Sequence, residues 1–382
     1  LKVNEYNYPE MKKKITVLPG DGVGPEVVEQ GVKVMNAVNN VFEHQFDLKT
    51  YDFGAISIDR HGIPLTDETL ENCLKSDAVF LGAIGDPKYD NDPAFPVRPE
   101  QGLLKLRKSL QLFSNIRPIT TYELLKNISP LKNELLKEVN FVIYRELTGG
   151  IYFGEKKISE DKSTASDLCE YSENEISRIA YQAFEAAANR RNKLTLIDKA
   201  NVLETSRLWR RVIQDISKEY PSIKVDYLFV DNAAMQVMLN PGQFDVILTE
   251  NMFGDIISDL ASVITGSLGM LPSSSVGNKV ALFEPIHGSY PQAKGLDIAN
   301  PMATILSVAM MYEYFGLFRE AEMIKNGVKW ALNNGIITKD LSNGEEPNTC
   351  SKVGDMVAWF IEEKGSVNIK QESTKLSLNC II

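Results

Sequence analysis

An α/β fold of two domains is predicted by three observations. Short apolar runs alternate with helix-period segments along most of the chain, a glycine-punctuated strand-to-helix turn lies near the start, and 382 residues exceed one ordinary core. Taken in order, ITVL (15–18) reads as a strand that feeds a helix over Pro25–Asn39. Pro25 falls in the first turn, where a missing N–H costs nothing. DAVFLGAIG (77–85) is a buried-strand run ended by glycines. FVIYREL (141–147), LTLID (194–198), VDYLFVD (225–231) and FDVILTE (244–250) follow, most of them leading into a helical pattern, as parallel strands with crossover helices require. From Asn300 helices dominate, after a short strand in KVALFE (279–284). The polar stretch from Lys364 is expected to fray.

The composition narrows the class. Apolar residues at 43% and charged residues at 24% mark a soluble globular chain and exclude a disordered or collagen-like one. Acidic residues outnumber basic ones 51 to 41, and the net charge of −10 argues against nucleic acid or an anionic membrane as the main partner. Cys73, Cys169, Cys350 and Cys380 are dispersed, as are His44, His61 and His287. That spacing disfavours a disulfide framework, a thiolate or imidazole metal site and a Ser–His–Asp triad. Leu260–Asn278, the longest uncharged stretch, is broken by a Pro, three Gly and five Ser and is no membrane span. Met11 followed by KKKITVLPGDG reads as a natural start, with residues 1–10 as an extension, and the apolar run after the lysines is too short for a signal peptide. The expected compartment is the cytoplasm.

GDGVGPE (20–26) sits where phosphate-binding loops occur, but its glycines fall at 20, 22 and 24, which fails the G-x-G-x-x-G spacing. Asp47 stands at a plausible distance for a ribose-binding acid, yet a lone acid is a weak signal. The loop is read as a tight turn beside a ligand cleft, and an ordinary Rossmann site is not expected.

The charges at strand ends say more, because ligands bind beyond the carboxyl ends of strands in open α/β sheets. Lys199 follows LTLID, Asp231 closes VDYLFVD, and Asn251–Asp259 follow FDVILTE. Each alone has an ordinary reading as a cap or a solvated charge. Asp255 and Asp259 are four apart in a helical segment, so both project from one face, bordering an apolar arc of Met252, Ile256, Ile257, Leu260, Val263 and Ile264. Such a pair repels, and a hard cation such as Mg²⁺ or Mn²⁺ would relieve the repulsion. Glu100, Leu103, Leu104 and Arg107 form one helical stripe at i, i+3, i+4, i+7, readable as core or as a site face. Arg117, held extended by Pro118, and Arg145, near the end of its strand, complete three arginines suited to clamping a small polycarboxylate. Spacing leaves open whether they converge or stay on the rim.

NMFGDIISDLASVITGSLGM (251–270), with LPGDGVGPEV, GLLKLRKSLQLFSNIRP, RELTGGIYFGE, DKANVLETSRLWR and FEPIHGS in order, resembles the isocitrate/isopropylmalate dehydrogenase family, metal-dependent decarboxylating 2-hydroxyacid dehydrogenases. The resemblance runs from about Met11 to about Phe360. It implies a two-domain fold of that family's kind, with residues 11–112 and 266–364 as a cofactor-side domain, 113–265 as a dimer-forming domain, and 1–10 and 365–382 as terminal extensions. Where isocitrate enzymes place a serine and an asparagine before Arg107, this chain has Glu100, Leu103 and Leu104, which resembles the isopropylmalate branch. The leucines, with Val202 from a partner subunit, would form an apolar pocket in which a third carboxylate would be desolvated without a cation.

By the same resemblance, Arg107, Arg117 and Arg145 hold the carboxylates of 3-isopropylmalate. Asp231, Asp255 and Asp259 ligate Mg²⁺ or Mn²⁺, Lys199 is the general base and Tyr152 the acid. Lys199 and Asp231 come from the neighbouring subunit of a homodimer with shared sites. Glu284, His287, Gly288, Ser289 and Asn300 receive a dinucleotide. Gln292 stands where NAD-using members carry an aspartate, and the lysine–tyrosine pair of NADP-using members is absent too. NAD is expected because no cation has been added. The implied reaction is oxidative decarboxylation of 3-isopropylmalate to 2-oxoisocaproate in leucine biosynthesis. The alternatives are a sister enzyme for D-malate, tartrate or homoisocitrate, and a non-catalytic regulatory paralogue, against which the presence of every acid, base and ligand position speaks.

Overall fold

The computed structural model describes residues 10–90, 96–344 and 346–368. Its strands are β1 (Lys12–Gly20), β2 (Gln45–Thr50), β3 (Ala78–Ala83), β4 (Ser114–Thr120), β5 (Asn140–Glu146), β6 (Lys156–Ile158), β7 (Ala165–Asp167), β8 (Lys193–Asp198), β9 (Lys224–Phe229), β10 (Val246–Thr249), β11 (Pro272–Val276) and β12 (Ala281–Pro285). Its helices are α1 (Gly24–Phe42), α2 (Ala55–His61), α3 (Asp67–Lys75), α4 (Pro87–Asp90), α5 (Pro99–Ser109), α6 (Glu173–Ala188), α7 (Glu204–Ile216), α8 (Val230–Leu239), α9 (Asn251–Ser262), α10 (Met302–Tyr314), α11 (Phe318–Asn333) and α12 (Cys350–Asn368). Among the described residues no helix is long and apolar enough to cross a membrane.

A ten-stranded sheet runs in the order β2-β1-β3-β12-β11-β4-β5-β10-β8-β9, and β6 and β7 form a separate two-stranded sheet. The expected α/β class holds, but the main sheet is mixed. β1, β2, β3 and β12 are parallel, and so are β5, β10, β8 and β9. Antiparallel pairings of β12 with β11, β11 with β4 and β4 with β5 join the two blocks, so the blocks run in opposite senses. The expected cuts at 112/113 and 265/266 fall on the β11–β4 seam, where the sheet continues without a break.

Strand alternation decides what each face carries. In β5, Val142 and Tyr144 join one apolar cluster while Phe141 and Ile143 join another. In β3, Phe80 faces the first cluster, and Val79 and Leu81 a third. Runs buried on both faces read as continuous hydrophobic segments, which is why they are visible in the sequence. One face of the sheet carries a single core under α1, α6, α7 and α10–α12. The opposite face carries two clusters, one around Leu106 and Leu110, the other under α8 and α9. Between them lies a polar band.

β11 was hidden in the sequence because PSSSV looks like a loop. Its burial is complete, and Asn115 explains how. The Asn115 side-chain amide donates to Ser273 Oγ at 2.9 Å, Ser274 O at 3.2 Å and Ser275 Oγ at 3.2 Å. Buried hydroxyls and carbonyls with partners avoid most of the desolvation cost of leaving water.

Several boundaries differ from the sequence reading. The first helix extends to Phe42, and the lysines 12–14 lie inside β1. β9 stops at Phe229, so Asp231 belongs to the first turn of α8 and does not close a strand. α12 continues to Asn368, four residues past the expected frayed start. The extensions expected at 1–10 and 365–382 lie mostly outside the described residues.

The glycine loop is the tight turn expected. A Cβ at Gly20 would lie 2.0 Å from Ala83 O, and one at Gly22 would lie 1.9 Å from Ser289 O, with φ of +73° and +57°. Asp21 between them accepts from the backbone N–H of Ala55, Ile56 and Gly85, fixing the start of α2. Asp47 lies in β2 beside Lys49, away from this turn. Gly22→Ala should therefore destabilise the fold by about 2–4 kcal/mol, from backbone strain plus a clash. Denaturant unfolding of the purified variant measures this, and a loss under about 0.5 kcal/mol would contradict the packing described.

Candidate active site

The polar band across the split face is where the charges of three elements meet. Asn115 and Arg117 on β4 and Arg145 on β5 point to the same face, since Asn115 and Arg145 are cross-strand partners. Arg117 Nε donates to Asn115 Oδ1 at 2.8 Å, and its Nη1 donates to Ser258 Oγ at 2.7 Å and Asp259 Oδ1 at 3.0 Å. Arg145 donates to Asn251 Oδ1 through Nε and Nη2 at 3.1 and 2.8 Å, and through Nη1 to Asp255 Oδ1 at 2.5 Å. Burial, then the neighbouring Arg117, pull Arg145 down to about 10, which leaves it charged at neutral pH. Tyr152 Oη donates to Asp255 Oδ2 at 3.1 Å. Burial and that carboxylate hold the phenol above its ordinary pKa, so it keeps its proton.

From the other side of the band, α5 supplies Arg107, whose Nη2 donates to Glu284 Oε1 at the end of β12, 2.9 Å away. Leu106 and Leu110 are the core side of this helix, while Glu100 and Leu104 are exposed and Leu103 is half-buried. Of the stripe read from the sequence, Glu100, Leu103 and Arg107 border a cleft, Leu103 also packs against the cluster around Leu106, and Leu104 is exposed outside that lining. A cavity of about 180 Å³ is lined by Glu100, Leu103, Arg107, Arg117, Glu284 and His287, among others.

Lys199 and Asp231 form a separate pair, with Lys199 Nζ donating to Asp231 Oδ1 at 2.6 Å. The lysine's donated hydrogen bond and charge hold Asp231 below the usual carboxylate range. Val202, beside them, is 61% exposed. Among the described residues of one chain, no group of three His, Cys, Asp or Glu side chains converges as a metal site. One chain therefore assembles Arg107, Arg117, Arg145, Tyr152, Asp255, Asp259 and Glu284, and leaves Lys199, Asp231 and Val202 elsewhere.

The dinucleotide candidates are mixed in character. Ser289 gives its carbonyl to Val23 N–H at 2.8 Å, tying this loop to the glycine turn. His287 Nδ1 lies 3.0 Å from Gly288 O, its Nε2 is buried without a partner, and burial pushes its pKa down, which favours the neutral ring. Gly288 is exposed with open space around it. Asn300 is committed to the fold, since it donates to Asp340 at 3.0 Å and accepts from Met302 N–H, the first residue of α10, at 3.0 Å.

Sequence reasoning missed Asn251 and Asn115, the residues that orient Arg145 and Arg117. Asn251 is fixed in turn, donating to Gly149 O at 3.1 Å while its backbone N–H donates to Tyr171 Oη at 3.0 Å. The signal was there for Asn115, two residues before Arg117 in a strand and so on the same face.

A model of the isocitrate/isopropylmalate dehydrogenase family matches residues 14–357. The chain belongs to the isocitrate/isopropylmalate dehydrogenase family. It is 50% identical over 353 residues to a 3-isopropylmalate dehydrogenase of Bacteroides fragilis, covering 92% of this chain and 99% of that one. A 3-isopropylmalate dehydrogenase of Lactococcus lactis is 51% identical over 334 residues, covering 87% and 95%. Among solved structures, an isocitrate dehydrogenase from Methylococcus capsulatus superposes with a TM-score of 0.81 at 33% identity, covering 91% and 99%. A β-decarboxylating dehydrogenase from Thermococcus kodakarensis gives 0.78 at 34% identity, covering 94% and 99%.

A divalent ion is implied by this isocitrate/isopropylmalate dehydrogenase membership, and the donor chemistry fits it. Asp255 and Asp259 offer only carboxylate oxygens, with the Asp259 side chain 68% exposed. Two carboxylates are an incomplete set, and the remaining coordination positions would fall to further oxygen donors.

At the root of α9, Glu250 is buried, and its Oε2 has no partner. Burial, then the buried carboxylates Asp198 and Glu146, push its pKa up to about 7. A carboxyl raised in the fold binds more protons there than when unfolded, so stability falls as pH rises from about 4.5 through 7. Over that window the wild type should lose about 2–3 kcal/mol more stability than Glu250→Gln. Denaturant unfolding at a series of pH values checks this, and parallel stability–pH curves would contradict it.

Proposed function

We propose that this chain oxidatively decarboxylates 3-isopropylmalate to 2-oxoisocaproate, a step of leucine biosynthesis in the cytoplasm, with NAD as oxidant and Mg²⁺ or Mn²⁺ bound. The observation that carries the reading is the polar band in which Arg107, Arg117 and Arg145 come near one another beside the half-buried Leu103 and the exposed Leu104. Arg117 and Arg145 are aimed by Asn115 and Asn251 toward the edge of α9, and Arg107 reaches in from α5 next to Leu103 and Leu104. A diacid with a branched apolar side group matches that chemistry. The relatives that are about half identical along nearly their whole length carry the name of this activity.

The roles follow from what each group can do. Arg107, Arg117 and Arg145 bind carboxylates bidentately and fix the diacid. Asp255 and Asp259, with Asp231 of a second copy, would hold the divalent ion. Bound, the ion supplies Lewis acidity toward the hydroxyl and the forming carbonyl, and NAD supplies the hydride acceptor. Lys199 of the second copy takes the proton of the C2 hydroxyl. Tyr152, held protonated, returns a proton to C3 after carbon dioxide leaves. Glu284, His287, Gly288 and Ser289 border the space for the dinucleotide, and Asn300 shapes it from behind.

A homodimer completes the site. α8 and α9 pack on each other and leave Met235, Leu239, Ile256 and Val263 exposed, between 42% and 63%. Of the apolar arc read from the sequence, Ile257 and Ile264 are buried, whereas Ile256 and Val263 lie uncovered. The face that α9 buries against the sheet instead holds Phe253, Gly254, Ser258 and Ala261. An uncovered apolar strip beside an incomplete ligand set is what a second copy would satisfy.

Initial rates with 3-isopropylmalate and Mn²⁺, offering NAD and NADP separately, test the assignment; no turnover with either, or a large preference for D-malate, overturns it. Lys199→Ala should lower kcat about 10²–10⁴-fold with the fold and Mn²⁺ binding intact. Near wild-type turnover would refute the base role. Leu104→Glu should cut kcat/KM for 3-isopropylmalate far more than any activity on malate, and equal losses would remove the pocket argument.

A further inference from the structure

We infer that Arg107 exchanges partners as ligands bind, so that the Arg107–Glu284 ion pair couples the substrate half of the cleft to its cofactor half. This rests on the functional reading above and goes beyond it.

Arg107 is the arginine that ties the two halves together. It stands on α5, while Glu284 ends β12 and begins the loop through His287 and Gly288. Both side chains are largely withdrawn from water, at 16% and 12% exposure. Arg107 Nε is buried and has no partner among the described residues, so there the guanidinium has an unused donor. Arg117 and Arg145 remain held by neutral acceptors, Ser258, Asn115 and Asn251, whatever their carboxylate partners do. Among the described residues Arg107 has no neutral side-chain acceptor, and Glu284 is its ion-pair partner.

A carboxylate that occupies Arg107 must compete with Glu284 for the same fork. Once displaced, Glu284 becomes a buried charge without its counter-ion, which is costly until a new partner arrives. The nearest open volume is the cavity it lines with Ile286, His287 and Gly288. A ligand that brings a positive charge and hydrogen-bond donors to that cavity satisfies the freed carboxylate, and an oxidised nicotinamide ring has both. The diacid thus strengthens the dinucleotide, and by linkage the dinucleotide strengthens the diacid by the same factor. Without either, the pair keeps both charges neutralised and the cleft stable.

The test is calorimetric titration of the full chain with Mg²⁺ present, every protein, the otherwise wild-type chain included, carrying Lys199→Ala so that the ternary complex binds with negligible turnover. 3-Isopropylmalate and NAD⁺ are each titrated alone and with the other at saturation. The wild type should show coupling of at least about fivefold in both directions. Glu284→Gln keeps an acceptor for Arg107 but removes the charge. It should bind 3-isopropylmalate alone about fivefold tighter, with coupling reduced below about twofold. Asp86→Asn removes an equal charge beside the glycine turn, outside the cavity lining and without touching the pair, and should retain the coupling. The exchange is overturned if Glu284→Gln binds the diacid no tighter, if its coupling survives, or if Asp86→Asn reproduces both effects. Titrations with D-malate separate this from the substrate assignment. Coupling with D-malate in a protein that ignores 3-isopropylmalate supports the exchange and overturns only that assignment.

Discussion

Three guanidinium groups stand close enough in the polar band to feel one another's charge, and burying them requires that each be neutralised. Arg107, Arg117 and Arg145 are each within ion-pairing distance of a carboxylate, from Glu284, Asp259 and Asp255 respectively. Half-buried like charges left without these partners would repel across a medium less polar than water. The same requirement shapes the sheet. A polar band of Asn115, Ser273, Ser275, Arg117 and Arg145 keeps two apolar clusters on one face from merging, while the opposite face carries one continuous core. The cleft persists because filling it would strand these groups without partners.

The seam between the two parallel blocks is antiparallel for a related reason. β11 and β4 are the strands that present polar side chains to the cleft. Asn115 satisfies the hydroxyls of Ser273 and Ser275, so the sheet can pass beneath the polar band without an open edge, while Ser114 Oγ and Ser274 Oγ have no partner among the described residues.

α9 combines three jobs on one cylinder. One side packs on the sheet through Phe253, Gly254, Ser258 and Ala261, the next carries Asp255 and Asp259, and the third is an apolar strip facing outward. Gly254 allows the close approach, since a Cβ there would meet Arg145 Cγ at 2.6 Å. A small-residue packing face leaves the larger side chains free for other contacts, and the proposed two-copy site uses them.

The sequence by itself determined the element types wherever strands are buried on both faces, because such runs need no partner to be recognisable. It determined the family through motifs whose order and spacing are local. It also placed Asp255 and Asp259 on one helix face, since 100° per residue is a property of the helix alone. It did not reveal β11, whose serines are polar in composition, with Ser273 and Ser275 paired by Asn115 some 160 residues away in the chain. Nor did it distinguish the packed side of α9 from the uncovered one, because Phe253 and Ile256 are equally apolar and only the sheet decides which is covered. Whether Arg107, Arg117 and Arg145 converge was likewise settled by the tertiary structure. Convergence depends on the register of β4 against β5 and on the docking of α5, both non-local quantities that no spacing along the chain encodes.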